Sequence, residues 1–202
     1  MHMRNHLVIK PAGWRLAALI LACSTMPLGA QSSRLSLGPH EHGIGQLNVI
    51  LDGTVLSLEL LLPAGDVAGF EHLPVTVKER MTVRRVAAEL GKAERQFAVP
   101  AAAGCVVVTA EVDGEQMEAI GHKHEHDHGH AAAAQGAHAH AHAEYHATYR
   151  YTCRKPQALR QLEVKVFAAY PKLQKLRYQA VLPGGGGAGM LTPAAARLTL
   201  EQ

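Results

Sequence analysis

The chain has 202 residues, enough for one domain with a sizeable core. It carries 20 Lys and Arg against 17 Asp and Glu, with 14 His, for a formal charge of only +3. That balance offers no basic field to a nucleic-acid backbone, and three Phe and one Trp are too few to stack bases, so a nucleic-acid partner is not expected.

The first thirty residues read as a secretory signal. Arg4, Lys10 and Arg15 supply the positive region. Residues 16–23 form an apolar run too short to span a bilayer. Ala30 ends a small-residue stretch and is the expected last residue removed. A buried N-terminal helix, or lipid attachment at Cys23 after Ile20-Leu21-Ala22, are the alternatives. Cleavage after Ala30 leaves 172 residues and removes three basic but no acidic side chains, so 17 Lys and Arg meet 17 Asp and Glu. The expected product is a periplasmic monomer without stable membrane insertion, with a single domain over residues 31–202. It keeps Cys105 and Cys153. Export to an oxidising compartment favours a disulfide between them; two buried thiols or two soft metal ligands are the alternatives. They form no CxxC pair, which argues against a redox centre.

Residues 31–39 read as a flexible lead-in to His40-Glu-His42-Gly43, an HxH pair. Residues 46–51 and 55–62 are apolar, partly alternating runs separated by an Asp-Gly turn at 52–53, a hairpin signal. Leu47, Val49 and Leu51 share one face of the first strand, and Pro63 closes the second. Residues 64–74 read as an irregular connection carrying Asp66, Glu71 and His72. The best helix covers residues 75–93, with an imperfect apolar stripe through Val77, Met81, Val83, Ala88 and Leu90 and with Gly91 near its end. Pro100 and Gly104 flank an alanine-rich turn. Residues 105–112 form a strand of high β-propensity.

Asp113-Gly114 then leads toward the histidine-rich loop at 121–146. Residues 122–146 hold nine of the 14 histidines. His122, His124, His126, His128 and His130 form one ladder, and His138, His140 and His142 a second. A histidine at every second residue puts neighbouring rings on one face of an extended chain, about 6.6 Å apart at Cα. Sharing one ion therefore requires a bend, which the intervening Gly and Ala residues allow. Neutral imidazole suits Zn²⁺, Cu²⁺, Ni²⁺ and Co²⁺, and Zn²⁺ takes four N, S or O ligands in a tetrahedron. Glu125, Asp127 and Glu144 add oxygen donors. Many equivalent ligand sets imply capacity and fast exchange rather than one rigid site. An inert low-complexity linker is the bland alternative. Residues 121–143 contain no aromatic or large aliphatic side chain, so the segment is expected to be disordered without metal.

Residues 145–153, 162–167 and 176–182 read as further strands, 184–187 as a flexible turn, and 196–200 as an edge strand. About seven strands and one main helix predict an α+β fold, mostly antiparallel β-sheet, with the histidine tract as a disordered hairpin loop. A disulfide between neighbouring strands would pair 105–112 with 146–153. The chain holds no GxSxG, P-loop, GxGxxG or HExxH pattern, so no enzymatic activity is expected.

Several stretches together resemble the ZrgA family of periplasmic zinc-uptake proteins. They are HEHGIGQLNVILDG at 40–53, VLSLELLLPA at 55–64 and GFEH at 69–72. The cysteine strand at 105, the histidine tract, the Tyr-x-Tyr-x-Cys strand ending at Cys153 and LEVKVFAAYP at 162–171 complete the match. The resemblance implies a Zn²⁺-binding protein that assists zinc acquisition alongside components of a zinc ABC importer. Its implied ligands are His40, His42 and His72 together with the 122–142 ladder. These three histidines would meet in one folded site if the GFEH turn packs beside the first strand. The segment GGGGAGM at 184–190 departs from the family pattern. A copper, nickel or cobalt tolerance buffer is the competing reading. A zinc-dependent hydrolase, with an ion on His40, His42 and His72 and Glu71 or Asp66 as base, is the third.

Overall fold

A computed structural model of the chain describes residues 41–114, 116–118 and 143–200. All of them belong to one compact unit, Leu37–Gln202. The expected signal segment, His40 and the two histidine ladders lie outside the described residues.

The first hairpin forms as the apolar alternation requires. Strand β1 (Ile44–Asp52) pairs antiparallel with β2 (Val55–Pro63), with Val49 opposite Leu58 and Asp52 opposite Val55. Leu47, Val49 and Leu51 face the core with Leu56, Leu58, Leu60 and Leu62 from the partner strand. Pro63 ends the strand as anticipated and leads into a single helical turn, α1 (Ala64–Val67), where an irregular connection was expected.

Helix α2 (Val77–Leu90) is shorter than the sequence suggests because Thr76 is its N-cap. The Thr76 side chain accepts from the Glu79 amide at 3.1 Å, and Glu79 Oε2 accepts from the Thr76 amide at 2.8 Å, a complete capping box. Gly91 is the C-cap. The buried stripe is Val83, Val86, Ala87 and Leu90, spaced i, i+3, i+4, i+7. The expected stripe is thus corrected: Val77, Met81 and Ala88 face solvent. Thr76→Ala should lower stability by about 1 kcal/mol, read from urea unfolding, because the Glu79 amide loses its side-chain acceptor.

After α2, α3 (Ala93–Gln96) and β3 (Phe97–Ala98) lead through a 3₁₀ turn at Ala101–Ala103 into β4 (Cys105–Asp113). Strand β5 (Glu144–Cys153) pairs antiparallel with both β4 and β2. Cys105 and Cys153 face each other across β4 and β5 and form the disulfide. Strand β6 (Gln161–Val164) is cut short by the helical turn α4 (Val166–Ala169), where a continuous strand to residue 167 was expected. Strands β7 (Lys175–Leu182), β8 (Gly185–Leu191) and β9 (Arg197–Thr199) complete the chain.

The strands make two sheets, ordered β4-β5-β2-β1-β7-β8 and β3-β6-β9. The pairing is antiparallel except for β1 with β7, so the larger sheet is mixed. The glycine run expected to be a turn is strand β8. Further along it Gly189 admits the Tyr178 ring, whose atoms would stand 2.9 Å from a Cβ there. One face of the large sheet carries the core. Against it lie α2 and the inward residues of the small sheet, Phe97, Leu162, Val164 and Leu198. Tyr149 links the layers: its ring meets Phe97 edge to face at 5.2 Å, and its hydroxyl donates to the Leu90 carbonyl at 2.8 Å in the last turn of α2.

Candidate metal site

The histidine tract leaves the sheet between Asp113 at the end of β4 and Glu144 at the start of β5. Gly114 (φ 149°) makes the exit possible, since a Cβ there would collide with the Glu144 carbonyl. Two more segments meet these roots. The Ala64 amide donates to the Ala143 carbonyl at 2.8 Å. The Gly43 amide donates to Asp66 Oδ2 at 2.7 Å, which holds the HxHG segment against α1.

Gln116 joins the neck from inside. Its side chain is 1 % exposed. Its Nε2 donates to the carbonyls of Phe70 at 3.1 Å and His72 at 2.9 Å, and its Oε1 accepts from the Tyr145 hydroxyl at 3.2 Å. An amide buried this deeply without partners would cost about 1–3 kcal/mol. Here it ties both ends of the tract to the GFEH turn.

The two histidines at this neck stand at the surface. His42, 70 % exposed, places Nδ1 3.3 Å from Glu71 Oε1. His72, 57 % exposed, stacks on Phe70 with ring centroids 4.9 Å apart. Its Nδ1 lies 2.9 Å from the Leu73 carbonyl. A carbonyl only accepts, so that nitrogen carries the proton and Nε2 is the one available to a metal. Nε2 is 3.8 Å from Glu79 Oε1. The Glu79 carboxyl is held below its ordinary value, first by the hydrogen bond from the Thr76 amide, and so remains an anion beside the ring. Each imidazole thus has its own carboxylate neighbour. Among the described residues no three His, Cys, Asp or Glu side chains are grouped to hold one ion. The GFEH turn does pack beside the start of β1. His40 and His122, His124, His126, His128, His130, His138, His140 and His142 lie outside the described residues.

Residues 39–200 match the family model described as the ZrgA family zinc uptake protein. The chain belongs to the ZrgA family. No curated protein matches it. The ZrgA match takes in the HxHG segment, the GFEH turn, the whole histidine tract and both cysteines. Among the described residues no helix is long and apolar enough to cross a membrane.

Two residues of this ZrgA chain escaped sequence reasoning. Gln116 is a lone amide before a low-complexity segment, and nothing local marks it as buried. His146 sits on β5, in the strand expected over 145–153, but on the sheet face away from the core, where its carboxylate partners were not foreseen. Its Nε2 is 2.7 Å from Glu59 Oε1 and its Nδ1 3.4 Å from Asp113 Oδ1. The signal was its period-2 offset from the inward Tyr145 and Tyr149. Its partner was hidden, because a bulge between Val107 and Thr109 shifts the β4 register by one residue.

Proposed function

We propose that this ZrgA chain is an exported zinc carrier. Residues 1–30 are removed, and the single domain over 31–202 captures Zn²⁺ in the periplasm and passes it to a zinc ABC importer. The observation that carries this reading is the neck, where Gln116 ties the GFEH turn to the roots of the histidine tract and Asp66 holds the HxHG segment beside them. Ions gathered along the tract are delivered beside His42 and His72. His40, His42 and His72 form the tighter station, and the tract at 121–146 supplies capacity. The family's zinc-uptake description supports Zn²⁺ over copper, nickel or cobalt, and carriage over hydrolysis.

Calorimetric zinc titration of three proteins tests the division of labour. Deleting residues 121–143 should remove two or more equivalents, because eight histidines go and each ion needs three or four ligands. The thermal transition of the metal-free protein should stay nearly unchanged. H40A/H42A/H72A should keep most of the capacity but weaken the tightest step by at least about 100-fold, more than the loss of orienting partners alone costs. If the deletion abolishes the tightest step and the triple variant retains it, the tract is the primary receptor and the proposal fails.

A further inference from the structure

Helix α2 is apolar on two faces. One meets the core through Val83, Val86, Ala87 and Leu90. The opposite face carries Val77 and Met81, 66 % and 64 % exposed and neighbours one turn apart, and runs on to the exposed Ala88. Leu73 and Val75, 54 % and 71 % exposed, extend this strip back to His72. Its backbone is braced. Glu79 Oε2 accepts from the Val75 amide at 2.9 Å as well as from the Thr76 amide, and Arg80 Nη1 donates to the Val75 carbonyl at 2.8 Å. A single exposed Val or Met needs no explanation. Four large apolar side chains between Leu73 and Met81, on a backbone fixed in this way, are a contiguous patch.

The free charges around the strip have one sign. Lys78, Arg84 and Arg85 flank it and are exposed. The two acids of the helix are engaged: Glu79 in the capping box, and Glu89 with Lys92 at 2.8 Å and Arg95 at 3.4 Å. A second copy of the chain would bring the same three bases against their like, so the face repels itself. An anionic membrane would suit the bases, but the strip holds no Trp, Tyr or Phe to seat it in the interface. It is complementary to a protein face with an apolar centre and an acidic rim. Met and Arg are enriched at such contacts, and a braced strip loses little freedom on binding.

We propose that the outer face of α2 is the surface on which the zinc-receiving protein docks, by an apolar patch ringed with carboxylates. The docking rests on the zinc-carriage reading. Its position suits a transfer: Glu79 Oε1, in the first turn of α2, lies 3.8 Å from His72 Nε2, so a partner seated on Val77 and Met81 stands beside that ring. Carboxylates brought in to meet Lys78 and Arg84 are themselves Zn²⁺ ligands, so the rim that docks also carries acceptor oxygens toward the ion.

The test measures binding of the zinc-loaded full exported protein to the purified soluble receptor of the zinc importer from the same organism, at low and high salt. V77Q/M81Q removes the apolar centre with a good helix former and leaves the charges. K78E/R84E reverses the rim and leaves the apolar side chains. Each should weaken receptor binding at least about 10-fold, and raised salt should weaken the wild type but not K78E/R84E. Circular dichroism and calorimetric zinc titration of both variants should match the wild type. A variant that loses zinc along with the receptor would overturn the docking role. If both variants bind the receptor and pass zinc as the wild type does, the face is not a docking surface and zinc carriage stands. If the wild type itself passes no zinc to the receptor, carriage fails with it. Adhesion to anionic phospholipid vesicles, or a dimer in sedimentation, that V77Q/M81Q abolishes would assign the face to a membrane or to a second copy and overturn the proposal.

Discussion

Reducing the Cys105–Cys153 bond is expected to lower stability by about 4 kcal/mol, the loop-entropy value for closing some 49 residues. The two cysteines are 48 positions apart, and the enclosed loop includes the whole histidine tract. The tract segment at 121–143 has no large apolar side chain, so it offers the fold no burial to offset its closure. Without the bond, β4 must find β5 across that loop using only its own contacts. Urea unfolding followed by circular dichroism, with and without reductant, measures the effect. Reduction should shift the thermal midpoint down by roughly 8–16 °C for a domain of this size. The denaturant slope should rise as well, because the unbridged unfolded chain exposes more surface. C105A/C153A should lose somewhat more than reduction does, since Cys153 is fully buried and its removal leaves a void. Coincident transitions for oxidised and reduced protein would refute this account.

A second large loss is expected in alkali. Tyr145, Tyr149 and Tyr151 all point inward from β5, and Tyr170 follows α4 into the same core. Burial pushes all four phenols up, Tyr151 and Tyr170 to about 12. The nearby charge of Glu94 adds to the shift of Tyr151, and that of Glu89 to the shift of Tyr170. In the unfolded chain a phenol ionises near pH 10. The raised folded values mean that the stabilisation is fully present below pH 10 and is lost as pH rises toward 12. At pH 11 each tyrosine should cost about 1 kcal/mol after allowance for solvent screening, or roughly 4 kcal/mol together. Tyrosinate absorbance and circular dichroism should therefore change in one cooperative step. Ionisation of these tyrosines near pH 10 with the circular dichroism intact would show that they are not held in the core.

Much of the fold was legible because alternation is a local signal. Leu47, Val49 and Leu51 declared their face, and Asp52-Gly53 declared the turn. The strands carrying the two cysteines could be paired once the bond was assumed. The misread parts depended on tertiary partners. Val77 and Met81 look like core residues on a helical wheel, but the Thr76 cap sets the first turn and the sheet meets the stripe through Val83 and Val86. The glycines of β8 look like a turn until β7 pairs with them, Ala180 opposite Gly187 and Val181 opposite Gly186. At the neck, the HxHG and GFEH motifs were visible as chemistry, but the amide that ties the GFEH turn to the roots of the tract was not. Gln116 acquires its role only when Phe70, His72 and Tyr145 are brought to it by the sheet.

The nine-residue β4 ladder also sets the cystine apart from the neck. Cys105 and Cys153 close one end of the β4–β5 pair, and the tract departs from the other, about 27 Å away along the strand. Thiolate grips Zn²⁺ strongly and would make a poor way station for an ion meant to move on. Bonded to each other at the far pole, the two sulfurs neither compete for the ion nor meet it. The titratable side chains at the neck among the described residues, His42, Glu71, His72 and Glu79, offer nitrogen and oxygen donors, which lose their hold as protons arrive.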